Sequence, residues 1–141
     1  MSLKEKLIIG GREKIKLTQV SRNRVYARID TGAKSSSVHC TKFWLEKKHG
    51  KEILYAAILN KNHLMEFHAF TIKKIKSSNG ISEKRYIVVL DVEIGGHTFR
   101  TEFTLSNRKK MQNPVLLGRK FLRGHFVVDV ARKNILSGKH L

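Results

Sequence analysis

Asp30, Thr31 and Gly32 follow one another directly and lead into Ala33, Lys34 and the serines at positions 35, 36 and 37. A carboxylate carried at a loop edge can take a proton from water or return one to a leaving group. Asp30 is therefore the leading candidate for acid–base catalysis, with Thr31 and Gly32 as parts of the same turn. The tripeptide alone is a weak signal, because aspartate and glycine also mark ordinary turns. Scarcity strengthens it, since Asp91 and Asp129 are the only other aspartates. Asp91 falls on the strand face opposite Tyr86 and Leu90, Asp129 sits between valines, and neither is followed by Thr-Gly or Ser-Gly. Asp30 stands alone as a loop-borne carboxylate.

The elements that must position it follow from period two. Val25, Ala27 and Ile29 alternate with Tyr26 and Arg28, a half-buried strand that ends by delivering Asp30 to its loop. Gly32 then permits a backbone conformation that a side chain would oppose. Downstream, Val115, Leu116 and Leu117 run into Gly118 and Arg119, and the only plausible helix spans Leu117 to Arg123. Tyr86, Val88, Leu90, Val92 and Ile94 share one face of a long strand, and Phe99, Thr101, Phe103 and Leu105 share a face of the next. Gly95 and Gly96 between them predict a tight hairpin. Ile15 and Leu17, Ile53 to Leu59, Phe67 to Ile75, and Phe126 to Val130 predict further strands, with a turn from Ser77 to Gly80. There is no internal repeat, low-complexity segment or linker. The pattern predicts one all-β domain over 1–141, a barrel or a sandwich.

Charge narrows the partners. The 141 residues carry 29 Lys and Arg against 11 Asp and Glu, a net +18. That balance favours nucleic acid, an anionic membrane surface or an acidic peptide. The cations are spread along the chain and form no arm. No segment is apolar enough to span a bilayer, and Leu7 to Ile9 is too short for an export signal, so no membrane partner is expected. A lone cysteine, Cys40, suits a reducing, cytoplasmic setting. No cofactor is expected. His39 beside Cys40 points to opposite strand faces, His63 and His68 are poorly spaced, and His-Glu-x-x-His is absent, so zinc finds no ligand set. ATP finds no phosphate-cradling glycine loop. A nucleic-acid-binding barrel is the rival reading, but Phe43 and Trp44 are the only adjacent aromatics for base stacking.

Gly11, Arg12 and Glu13, the run ARIDTGAKSSS from Ala27 to Ser37 with Val38 and His39, and RTEFTLSNRKKMQNPVLLGRKFL from Arg100 to Leu122 carry a family resemblance that continues through Val128, Asp129 and Val130. The chain resembles the retropepsin-like aspartic peptidase homologues often labelled ATP-dependent zinc proteases, or RimK-associated proteins. The resemblance implies a closed acid-protease barrel in which two subunits each contribute one Asp-Thr-Gly loop. It implies that Thr31 grips its counterpart across the dimer axis and that the apolar pair before Gly118 packs beneath the loop.

One catalytic aspartate cannot make a carboxylate pair, so activity requires a homodimer. The expected activity is aspartic-type peptide hydrolysis, and the net charge and the family's association with a glutamate-adding ligase point to acidic, glutamate-rich chains. A non-catalytic scaffold and a basic RNA- or ribosome-binding barrel are the alternatives. Ala33, Lys34 and Arg119 are the substrate-binding candidates. Lys34 either holds a substrate carboxylate or is a solvated loop-edge lysine. Arg119 either contacts substrate, faces water or pairs with Glu102 or Asp129, and a structural ion pair is the favoured expectation. The hairpin at Gly95 and Gly96 is either the flap of a retropepsin or a plain surface hairpin.

Overall fold

Alternation at period two closes into a barrel. The computed structural model describes residues 5–60, 62–76, 78–108 and 112–140. The strands are β1 (Leu7–Gly10), β2 (Arg12–Leu17), β3 (Val25–Ile29), β4 (Ser36–Lys48), β5 (Lys51–Ile58), β6 (Met65–Phe67), β7 (Thr71–Lys76), β8 (Ser82–Ile94), β9 (His97–Ser106), β10 (Val115–Leu117) and β11 (Phe126–Asp129). A four-residue helix, α1 (Arg119–Leu122), follows β10, and a 3₁₀ turn spans Ser137–His140. Six strands close in the order β10, β3, β2, β8, β9, β4 and back to β10. The inward residues of each strand fill the core: Ile15 and Leu17, Ala27 and Ile29, Val88 to Ile94 at every second position, Phe103 and Leu105, and Val115 and Leu117. Removing these side chains from water is the main force holding the closed sheet.

The hairpin at Gly95 and Gly96 forms as expected, with φ of 56° and 80°. Three other segments differ from the sequence-based expectation. Leu7–Gly10 is a strand, paired in parallel with β11 in a separate two-stranded sheet, so its partner lies at the far end of the chain. Ser36–Lys48 is the joint-longest strand, although its opening serines resemble a turn. Ser36 is buried and its Oγ accepts a hydrogen bond from the Gly118 amide at 3.1 Å, which offsets the cost of burying a hydroxyl. From Cys40 onward, with an irregularity before Phe43, β4 pairs with β5, and Trp44 stacks on Tyr55. The stretch from Phe67 to Ile75 is two strands, because β6 pairs with β5 and β7 pairs with β8.

One polar residue anchors the closure. Glu13 lies on the same face of β2 as Ile15 and Leu17 and is 0% exposed. Its carboxylate accepts from the amides of Gly10, Ile135, Leu136 and Ser137 and from the Ser137 hydroxyl, at 2.7–3.2 Å. Five donors satisfy the buried charge. The first strands are thereby tied to the C-terminal segment.

Candidate active site

Two backbone bonds fix the end of β3. The Ile29 amide donates to the Gly11 carbonyl at 2.9 Å, and the Asp30 amide donates to the Leu117 carbonyl at 2.9 Å. Beyond that point the chain turns. Ala33 N–H donates to the Asp30 carbonyl at 3.3 Å and Gly32 N–H donates to Asp30 Oδ1 at 2.9 Å. A side chain at Gly32 would sit 3.2 Å from that same Oδ1, so glycine keeps the carboxylate close to its donor. Asp30 is half-buried, and among the described residues nothing donates to Oδ2. Thr31 and Gly32 are exposed.

The loop rests on the strand-to-helix turn at Gly118. Arg119 N–H donates to the Ala33 carbonyl at 2.8 Å and Lys120 N–H to the Lys34 carbonyl at 3.0 Å. A Cβ on Gly118 would meet the carbonyl oxygens of Ser35 and Ala33 at 2.7 and 2.8 Å, so only glycine admits this approach. Leu117 is fully buried beneath the loop and Leu116 faces outward. Arg119 makes no ion pair with Glu102 or Asp129, contrary to the favoured expectation. Its Nη1 donates instead to the Thr31 carbonyl at 3.0 Å, so it braces the Asp30 turn.

A cleft of about 680 Å³ opens at Ala33 and runs beneath the β7–β8 hairpin. Lys34 and Lys120 lie on the loop side, and Lys73, Lys84 and Arg85 project from the hairpin. Among the described residues, Glu83 and Glu102 are the acids that line the cleft, against the five cations just named. Neither Asp30 nor Arg119 lines the cleft; Ala33 and Lys34 do. The covering element is thus β7–β8, with exposed Ile81 near its tip. The hairpin at Gly95 and Gly96 packs elsewhere, with Gly95 against Leu136.

Arg108 escapes sequence reasoning because it lies in the loop between β9 and β10, where no periodicity marks burial. It is 8% exposed. Its Nη1 donates to Ser37 Oγ at 3.1 Å, its Nε to the Asn113 carbonyl at 3.1 Å, and its amide to His39 Nδ1 at 2.8 Å. Burial pushes its guanidinium pKa down, the charge of Arg28 adds to that, and the Asp30 carboxylate opposes it. Arg108 therefore lies within the electrostatic reach of Asp30. Among the described residues no three His, Cys, Asp or Glu side chains converge as metal ligands.

A closed six-strand barrel with one Asp-Thr-Gly loop seated on a glycine turn defines a retropepsin-like fold. Residues 8–139 match the RimB-like family, described as retropepsin-like aspartic endopeptidase RimB, and the chain belongs to that family. Two relatives carry the name "Probable alpha-L-glutamate ligase". One, from Shewanella pealeana, is 32% identical over 95% of this chain and 31% of its own length. The other, from Shewanella halifaxensis, is 33% identical over 88% of this chain and 28% of its own length. The chain thus spans under a third of these relatives, whose names refer to glutamate ligation and not to a zinc protease. A solved structure, the Legionella pneumophila protein Lpg0085 of unknown function, superposes with a TM-score of 0.74 at 28% identity, covering 94% of this chain and 99% of that one.

Proposed function

We propose that this protein is an aspartic-type peptidase, active as a homodimer, that hydrolyses peptide bonds in glutamate-rich chains. The observation that carries the reading is the Asp30 carboxylate, tethered through Oδ1 with Oδ2 left open, on a loop held by Gly118. Two such carboxylates brought face to face cannot both ionise easily and hold one proton between them. The ionised member takes a proton from a water lying between the pair. The resulting hydroxide equivalent adds to the scissile carbonyl while the protonated member donates to the carbonyl oxygen. Collapse then breaks the C–N bond, the amine taking the proton removed from water and one hydroxyl of the intermediate returning its proton to the other carboxylate. Arg119 and the Gly118 turn keep each loop in place during these transfers.

Substrate class follows from two supports. The cleft beside Asp30 carries more cations than acids, and relatives about three times as long, similar to this chain over under a third of their length, carry the name "Probable alpha-L-glutamate ligase". Pairing needs a surface as well. Ile8 and Val127 are register partners across β1 and β11 and are 55% and 53% exposed, and Val130, three residues beyond Val127, is 78% exposed. β1 leads directly to Gly11, whose carbonyl holds Ile29 below the catalytic turn, so a second copy on this face would bear on the site.

The test incubates wild type and Asp30→Asn with poly-glutamate and with a generic protein across acidic to neutral pH. Shortened glutamyl products from wild type alone are expected, and indistinguishable products from both would end the reading. Sedimentation of Val127→Glu is expected to show monomer with activity lost; a fully active monomer would exclude a shared site. Chelators are expected to leave turnover unchanged.

A further inference from the structure

Strand register places four side chains in one row on the outer face of the barrel. Ser37 on β4 is opposite Leu116 on β10, Leu116 is opposite Arg28 on β3, and Arg28 is opposite Arg12 on β2. Leu116 and Ser37 line the cleft, so the row runs from the cleft to the two arginines. Arg28, on β3, precedes Asp30 by two residues. Arg108 and Asn113, which flank β9 and β10, reach this row from its outer side. Arg108 bonds Ser37 at one end, and Asn113 accepts from Arg108 through its carbonyl and from Arg12 Nε through Oδ1 at 3.0 Å. The Arg12 guanidinium also lies over the Tyr26 ring, 3.6 Å from its centroid, which fixes its plane.

Three guanidiniums therefore share this face, and Asp30 is the one carboxylate whose charge reaches Arg108. Every Asp and Glu of the chain lies within the described residues, and none forms an ion pair with Arg12, Arg28 or Arg108. Like charges directly opposite on paired strands are destabilising, and a buried cation ordinarily has a partner. The Asp30 charge offsets the effect of burial and of Arg28 on Arg108 only in part, and an entering anion would offset more of it. Planar arginine forks held by neighbours suit a carboxylate, which accepts two parallel N–H bonds.

We propose that Arg12, Arg28 and Arg108 form a carboxylate-recognising subsite beside Asp30, which reads an acidic side chain of the substrate next to the bond that is cut. This rests on the peptidase reading for its purpose, but its binding chemistry stands apart from turnover. Arg28, the exposed member, contacts the carboxylate; Arg108, buried behind it, is a positioning residue that sets the local field and holds the loop.

The experiment titrates Asp30→Asn protein, which cannot consume peptide, with pentaglutamate, pentaglutamine and a five-nucleotide single-stranded RNA at one ionic strength. Adding Arg28→Met is expected to weaken pentaglutamate binding about tenfold, while Arg28→Lys keeps part of it. Pentaglutamine binding is expected to stay within about twofold, and so is pentaglutamate binding to Arg22→Met, which removes a cation from the turn at the other end of β2 and β3. Undiminished pentaglutamate binding by Arg28→Met overturns the subsite. So does equal weakening by Arg22→Met, which marks a general charge effect, or tighter binding of RNA than of pentaglutamate through Arg28. Because no arm depends on cleavage, absence of peptidase activity would defeat the proposed function and still leave this result to be read.

Discussion

Two carboxylates of this chain are held in opposite ways. Glu13 is sealed in the barrel wall, and five donors saturate both its oxygens. Asp30 is half-buried at a strand end, with one amide on Oδ1 and nothing among the described residues on Oδ2. A carboxylate with every lone pair engaged has nothing to offer a water or a substrate, and its burial makes it a clasp. A carboxylate with an open oxygen on a braced loop is one whose remaining valence is left for something else. The supports differ accordingly: side-chain and backbone donors converge on Glu13, whereas the Asp30 loop is held through its backbone by Leu117, Arg119 and Lys120.

Substituting each acid by its amide separates the two roles most sharply. Asp30→Asn is expected to lower peptide hydrolysis by at least about 10³-fold, the scale of lost proton-transfer catalysis, with little change in thermal stability. Glu13→Gln replaces an all-acceptor group by one that turns an N–H₂ towards donors. It is expected to cost about 3 kcal/mol, a fall of roughly 10 °C in Tm, while molecules that remain folded keep their turnover. Glutamyl-peptide assays below the transition and thermal unfolding of both variants check this. A large stability loss in Asp30→Asn, or an unaltered Tm in Glu13→Gln, would break the comparison.

The open site was far more legible in the sequence than the clasp. Alternation marks β2, β3, β8 and β9 because each buries one face, and the Asp30 turn and the run into Gly118 are local patterns. Glu13 had a usable signal, an acid in phase with Ile15 and Leu17, but four of its five donors, on Ile135, Leu136 and Ser137, lie more than 120 residues away. Ser36–Lys48 was hidden because its buried positions open with a serine whose partner is Gly118. The same distance effect misplaced Arg119: side-chain pairing was expected of it, and the bond it makes is to a backbone carbonyl of the turn. The hairpin over the cleft was equally out of reach, since which hairpin covers which opening depends on barrel closure and not on turn chemistry.

A pair of glycines extends the contrast to backbone packing. Gly118→Ala forces a methyl against the carbonyls of Ser35 and Ala33, atoms that cannot swing aside. The Asp30 loop must shift, with an expected loss of about 1–3 kcal/mol and about 10²-fold in activity. Gly95→Ala acts at the other region. It strains a residue at φ 56° and crowds Leu136, whose amide is held by Glu13, so stability should fall by a similar amount with turnover retained. Measuring kcat beside Tm for both variants separates site from scaffold, and a catalytic defect in Gly95→Ala would show that the two regions communicate.

Cys40 supplies the mildest test, because it lines the cleft yet is buried like Glu13. Burial pushes its thiol pKa up, and backbone hydrogen bonds with Lys42 and Ala57 oppose this only in part. A raised pKa leaves less thiolate at a given pH, so iodoacetamide is expected to modify Cys40 at least about tenfold more slowly than a free thiol at neutral pH. The sign for stability follows. The folded state holds the thiol proton more tightly, so the contribution is complete below the unfolded thiol's pKa. It is lost as pH climbs through the raised folded value. Cys40→Ala should change turnover by less than about twofold, since a protonated, walled-in thiol takes no part in the chemistry assigned to Asp30. Rapid alkylation at neutral pH, blocked by pentaglutamate, would instead put Cys40 in the open class and widen the working site from the Asp30 loop to the wall of β4.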